Sequence, residues 1–149
     1  MKLMTVATML LISSFGLSAK EMSSSAVISE AKAGRGGARI AAIDFESAGD
    51  VSAFQMRLIL PADAKRVDLS RCLKDLPAEF TGVCNANGNK VAVTVYSPSN
   101  KAAPAGILSV GKVTFVSAAS GQISVDKLFA SKRSAETAQV SAAKVESID

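Results

Sequence analysis

In residues 51–60, VSAFQMRLIL, large apolar side chains alternate with other residues, and this alternation indicates the fold class. The large apolar residues stand two apart; they are Phe54, Met56, Leu58 and Leu60. Successive side chains of a β-strand point to opposite faces, so this spacing predicts a strand with one buried face. Residues 90–97, KVAVTVYS, repeat the pattern with Val91, Val93 and Val95. Both stretches therefore favour half-buried strands over helices.

Further apolar runs surround these two stretches and are separated by turn residues. The predicted strands are residues 26–30, 38–45, 51–60, 80–84, 90–97, 107–116, 122–130 and 138–145. Asn87-Gly88 predicts a hairpin, because both residues tolerate a positive φ. Gly111 interrupts the alternation of its strand and predicts a bulge. Only residues 69–76 and 132–137 could hold a helical turn, so the pattern predicts an all-β antiparallel sandwich.

The composition argues against catalysis and against nucleic-acid binding. The chain has 149 residues, which suits one domain, a formal net charge of +4 with scattered Lys and Arg, and no histidine. Without histidine, a Ser–His–Asp or Cys–His arrangement is impossible and metal sites lose a common ligand. Asp44 and Glu46 share a strand face, whereas glycosidase carboxylates flank the substrate from different segments, so we interpret this pair as solvated charge. We expect a non-catalytic protein with no cofactor and no metal.

Residues 1–19 have the layout of a secretory signal peptide. Lys2 supplies a positive start, residues 3–17 form an uncharged apolar run, and small residues up to Ala19 precede Lys20. We expect cleavage after Ala19. A membrane span needs about 20 apolar residues, more than this run provides, so no span is expected after cleavage.

The sequence therefore divides into three predicted parts. The signal peptide is followed by a short Ser-rich linker over residues 20–25 and by one β-sandwich domain over residues 26–149. The mature chain is predicted to be secreted or periplasmic.

Both cysteines, Cys72 and Cys84, lie in the predicted mature chain. An even cysteine count in an exported protein favours a disulfide. A metal pair would need further ligands, and a redox pair usually has the Cys-x-x-Cys spacing, which this pair lacks. The sequence predicts a structural disulfide between these two residues.

Several segments resemble the sequences of cohesin domains. The order AVISEAKAGRGGARIAAIDFESAGDVSAFQMRLILPADAKRVDLS, residues 26–70, is similar to the first half of such a domain, with a short strand, a Gly-containing turn and a second strand. A Val-Phe-Leu-Pro pattern follows; its residues are Val51, Phe54, Leu58 and Pro61. In the second half, Gly106 and Thr114-Phe115 match a Gly-led strand that ends in Thr-Phe. The resemblance covers residues 26–145.

The resemblance implies a jelly-roll β-sandwich of roughly nine strands that binds a dockerin-like or other exported protein. It also implies that the partner covers the outer face of the sheet that holds residues 51–60 and 90–97. The outward side chains of these strands form the predicted partner-binding face; they are Gln55, Arg57, Ile59, Ala92, Thr94 and Tyr96.

A polysaccharide is the alternative ligand, because the superfamily that the resemblance indicates also contains carbohydrate-binding modules. Sugar-binding platforms use exposed aromatic side chains, whereas this chain has no Trp and one Tyr. The phenylalanines of the predicted mature domain are expected to lie in the core; they are Phe45, Phe54, Phe80, Phe115 and Phe129. The sequence therefore favours a protein partner over a glycan.

Overall fold

The computed structural model describes residues 23–32, 34–119 and 121–148, and in this part of the chain nine strands and no helix form. The strands are β1 (Ser25–Lys32), β2 (Ala38–Ser47), β3 (Val51–Ile59), β4 (Lys65–Asp68), β5 (Thr81–Asn87), β6 (Lys90–Tyr96), β7 (Gly106–Val116), β8 (Ser124–Lys132) and β9 (Lys144–Ile148). They form two sheets, in the orders β4-β7-β2-β1-β9 and β5-β6-β3-β8. The predicted all-β sandwich is confirmed. None of the described residues belongs to a helix that could span a bilayer.

The alternating apolar residues of β2, β3 and β6 meet between the sheets. Phe45 of one sheet stacks on Phe54 of the other, with ring centroids 4.0 Å apart. Val91, Val93 and Val95 of β6 are all 0% exposed. Burying each such side chain stabilises the fold by about 1.5–3 kcal/mol relative to exposure. These strands are therefore fixed in register, because a slip of one residue would expose their apolar faces.

Two strands differ from the sequence-based prediction. β4 was not predicted, because its residues KRVD show no apolar alternation, and its side chains are mostly exposed. The predicted strand over residues 138–145 is wrong, because β9 begins only at Lys144. Val140 instead makes an isolated parallel bridge to Ser24, and β9 then pairs with β1 in parallel, whereas the other strand pairs are antiparallel. This stretch crosses from one sheet to the other, so it cannot pair continuously with either.

The predicted bulge and hairpin are confirmed, the hairpin with a one-residue shift. Ile43 faces Gly111 whereas Asp44 faces Ser109, so one residue of β7 has no partner. The hairpin turn holds Gly88-Asn89 rather than Asn87-Gly88, with a φ of 60° at Gly88. Gly at the first central position suits a two-residue hairpin turn, because it adopts a positive φ without steric cost.

The segment that joins β4 to β5 forms turns rather than a helix and closes one side of the sandwich. A disulfide joins Cys72 of this segment to Cys84 of β5, with an S–S distance of 2.05 Å. The predicted disulfide is therefore present in the structure.

The first described residues already belong to the fold. Ser24 and Ser25, at the end of the predicted linker, are 0% and 2% exposed, and the Ser25 hydroxyl donates to the Ala142 carbonyl at 2.8 Å. The ordered domain thus begins before Ala26. The predicted signal peptide, residues 1–19, lies outside the described residues.

Candidate functional site

The candidate site is the outward surface of the sheet β5-β6-β3-β8, named here the outer face. Residues directly opposite one another in an antiparallel sheet project to the same side, so the strand register defines rows of outward side chains. The upper half consists of Thr81, Tyr96, Ala53, Ser131, Val83, Thr94, Gln55 and Phe129. The lower half consists of Asn85, Ala92, Arg57, Asp126, Asn87, Lys90, Ile59 and Ser124.

All of the predicted partner-binding residues lie on the outer face. Gln55 of β3 is directly opposite Thr94 of β6, and Arg57 is directly opposite Ala92. Tyr96 is 45% exposed at the upper end. The apolar alternation that buries the other side of β3 and β6 forces these residues outward, so their common orientation follows from the sequence pattern.

Three large apolar side chains are exposed on the upper half: Val83 at 52%, Tyr96 at 45% and Phe129 at 53%. Val83 was not predicted as a surface residue, and the prediction that Phe129 lies in the core is wrong. A shallow depression lies between Phe129 and the Gln55–Thr94 pair. The upper half is therefore more apolar than the predicted partner-binding face, which contained residues of β3 and β6 alone.

The orientation of Phe129 depends on a bulge in β8. Gln55 faces Phe129 while Arg57 faces Asp126, so Lys127 and Leu128 together oppose one residue of β3. Lys127 has a φ of 49°, in the left-handed region. The extra residue reverses the alternation, which moves Leu128 inward and Phe129 outward. A lysine does not indicate a left-handed conformation as a glycine would, so this reversal could not be predicted from the sequence.

An ion pair occupies the centre of the lower half. The Arg57 guanidinium donates to both carboxylate oxygens of Asp126, with an Nε–Oδ1 distance of 2.7 Å. These hydrogen bonds lower the pKa of Asp126 and raise that of Arg57, and the nearby positive charges of Lys127 and Lys90 lower the pKa of Asp126 further. Arg57 is thus held against Asp126 of the neighbouring strand β8.

A concave region at the end of the sandwich where β8 begins is built around a buried arginine. Arg39 is 8% exposed, pairs with Glu30, and donates to the carbonyls of Ala119 at 3.1 Å and Gly121 at 2.8 Å. Its guanidinium also lies 5.2 Å from the centre of the Phe115 ring. These contacts use the guanidinium for holding the β7–β8 connection, so we assign it a structural role.

The carboxylates Asp44 and Glu46 lie on the outside of the other sheet. The Nζ of Lys144 is 3.2 Å from Glu46, and desolvation raises the pKa of Asp44 above 3.8. Over residues 23–32, 34–119 and 121–148, no group of three or more His, Cys, Asp or Glu side chains is arranged to hold a metal ion.

The comparison with solved structures identifies the fold as cohesin-like. A non-cellulosomal cohesin from the hyperthermophilic archaeon Archaeoglobus fulgidus is similar at a TM-score of 0.60 and 18% identity, over 85% of this chain and 88% of that one. A type II cohesin domain from the cellulosome of Acetivibrio cellulolyticus gives 0.57 and 13%, over 83% and 92%. A chain of a type I cohesin–dockerin complex from Clostridium thermocellum gives 0.55 and 12%, over 85% and 100%. No family model and no curated protein matches the sequence.

Proposed function

We propose that this chain is an exported, non-catalytic module that binds a protein partner, of dockerin type, through its outer face. The observation that carries the proposal is a cohesin-like fold whose β5-β6-β3-β8 sheet leaves three large apolar side chains exposed on its outward surface. Proteins of similar fold include chains solved in cohesin–dockerin complexes.

The outer face has the dimensions and residue types of an interface. Strands about 4.8 Å apart and a rise of about 3.3 Å per residue give a surface of roughly 20 by 25 Å. A helix is about 10 Å wide, so this surface accommodates one or two helices or a hairpin. Tyr96 and Phe129 are aromatic residues of the kind enriched at interface centres, and Arg57 lies in the outward row next to that of Phe129.

Export and the absence of catalysis are supported by separate features. The structure contains a disulfide between Cys72 and Cys84, and such bonds persist in oxidising compartments. The chain contains no histidine, the side chain most often used for general acid–base catalysis near neutral pH.

A polysaccharide is the second candidate ligand, and the exposure of Phe129 favours it. The outer face presents two exposed aromatic rings, Tyr96 and Phe129, instead of the one that the sequence predicted. They lie on β6 and β8, which are separated by β3, and they are offset by two residues along the strands. Strand spacings of about 4.8 Å and a rise of about 3.3 Å per residue therefore place their backbones roughly 12 Å apart. A glycan array with the mature protein distinguishes this ligand class from a protein.

The proposal is tested by comparing captured proteins between surface variants. The double variant Tyr96→Ala/Phe129→Ala removes the exposed rings, and Ile107→Ala is the matched control, because Ile107 is 61% exposed on the other sheet. Immobilised wild type and variants are incubated with purified dockerin modules and with exported proteins of the source cell. We expect the double variant to lose the partner that wild type and Ile107→Ala retain, with an unchanged melting temperature. Equal capture by all three proteins would refute the outer face as the binding surface.

A further inference from the structure

The charges of the outer face are divided between its halves. The residues of the upper half are all uncharged, whereas the lower half contains Arg57, Lys90 and Asp126. The exposed Lys127 lies beside them at the bulge of β8. An uncharged surface with three exposed large apolar side chains therefore adjoins a charged surface along the same strands.

The lower half carries excess positive charge. Arg57 and Asp126 neutralise each other through two hydrogen bonds. Lys90 and Lys127 are close enough to lower the pKa of Asp126 through their charge, yet neither forms a salt bridge within the described part of the chain. Both lysines are exposed, so their ammonium groups can be reached by an incoming anion.

The bulge in β8 adds one residue to each half of this arrangement. Its extra residue turns Phe129 outward and places Lys127 next to Asp126. A left-handed conformation at a non-Gly residue such as Lys127 costs about 1–2 kcal/mol, and such outliers are concentrated at functional sites. Bulges also bend and re-aim the side chains of a strand.

We infer, on the basis of the proposed function, that the outer face selects a partner segment that is apolar at one end and acidic at the other. The apolar end covers Tyr96, Phe129 and Val83, and its carboxylates pair with Lys90 and Lys127. Arg57, held by Asp126, keeps its position and contributes shape rather than net charge. A uniformly charged polyanion fits this surface less well, because its charges would be desolvated over the uncharged upper half.

Two synthetic peptides test the charge preference. Both have the same Leu- and Phe-containing half, and the other half carries either several Glu residues or the same number of Lys residues. Binding to the mature protein is measured by NMR titration and by fluorescence anisotropy at low and high NaCl. We expect the acidic peptide to bind about tenfold more tightly than the basic one at low salt, because each exposed ion pair contributes a factor of about two to five. The preference should shrink at about 0.5 M salt, where the Debye length is only a few ångströms.

Matched variants locate the preference on the molecule. Lys90→Gln/Lys127→Gln should abolish the advantage of the acidic peptide, whereas Lys112→Gln, an exposed lysine on the other sheet, should preserve it. Tyr96→Ala/Phe129→Ala should weaken both peptides equally, since it removes only apolar contact.

Equal affinity for the two peptides, no binding of either, or an unchanged preference in Lys90→Gln/Lys127→Gln would overturn the charge inference. Those outcomes leave the proposed function testable on its own, because capture of a protein partner is measured with the Tyr96→Ala/Phe129→Ala variant. Conversely, a charge preference that persists while capture is independent of Tyr96 and Phe129 would refute the proposed function alone.

Discussion

At the end of the sandwich where β2 begins, two charged side chains hold the connection between β7 and β8. Asp63 accepts hydrogen bonds from the Ser117 hydroxyl at 2.5 Å and from the backbone N–H groups of Ala118 and Ala119 at 2.9 and 3.1 Å. Arg39 holds the same connection from the core side through the Ala119 carbonyl. A carboxylate and a guanidinium thus satisfy donors and acceptors of the segment that leads into β8, the strand that carries Phe129.

Asp63 should make the stability of the protein depend on pH in the acid range. The hydrogen bond from Ser117, with those from Ala118 and Ala119, lowers its pKa in the folded state below 3.8. A lowered pKa means that the carboxylate stabilises the fold above its unfolded pKa and that this contribution is lost as the pH falls through the folded value. We expect Asp63→Asn to lower the melting temperature at pH 7, and the gap from wild type to narrow below about pH 4. Melting curves of both proteins from pH 2 to 8 measure this difference in melting temperature. A difference that stays constant with pH would contradict the stabilising role of the Asp63 carboxylate.

At the scale of elements, the turn segment between β4 and β5 packs directly on the bulge of β7. The N–H of Lys112 donates to the Arg71 carbonyl at 2.9 Å, and the N–H of Asp75 donates to the Val110 carbonyl at 3.1 Å. A Cβ atom on Gly111 would lie 2.2 Å from the Cys72 carbonyl oxygen. The bulge and its glycine therefore make room for a segment that crosses from one sheet to the other.

Gly111→Ala should consequently destabilise the protein, although alanine is small. The atoms that the new methyl group would meet are backbone carbonyls of Arg71 and Cys72, which can move only with the whole segment. We expect the free energy of unfolding to fall by about 1–3 kcal/mol, as for other overpacked sites. Gly121→Ala is the matched control, because its nearest neighbour would be Pro61 at 3.7 Å, an ordinary contact. Chemical denaturation of both variants measures the difference, and equal stability of the two would show that the segment yields.

Prediction from sequence succeeded for the elements whose two faces differ most. β3 and β6 alternate without interruption, so the burial of Val93 and the exposure of Tyr96 follow from the pattern. β8 contains an extra residue that its residue types do not indicate, so Phe129 was predicted on the core side although it faces outward. β9 has little apolar periodicity and pairs with a strand more than 100 positions earlier, at Val27. The central strands of the candidate site, β3 and β6, were thus predictable from the sequence, whereas the outward residues of the edge strand β8 were not.

At the scale of the whole molecule, the chain crosses between the sheets along both sides of the sandwich. On one side, the segment between β4 and β5 makes the crossing and carries Cys72, which is bonded to Cys84 of β5. On the other side, the crossing between β8 and β9 brings the end of the chain against β1. Only the first side is held by a covalent bond, and Cys84 directly follows Val83 of the outer face.

Removal of the disulfide should therefore weaken the whole domain. The bond closes a loop with a sequence separation of 12, for which chain entropy gives about 3 kcal/mol. We expect Cys72→Ala/Cys84→Ala to lose about this amount in chemical denaturation, and wild type to lose a similar amount in reductant while the variant is insensitive to it. A wild type whose stability ignores reductant would show that the cysteines are not bonded in the protein. Because a loss of about 3 kcal/mol is a large part of the 5–15 kcal/mol typical of a domain, the module should depend on an oxidising compartment for its full stability.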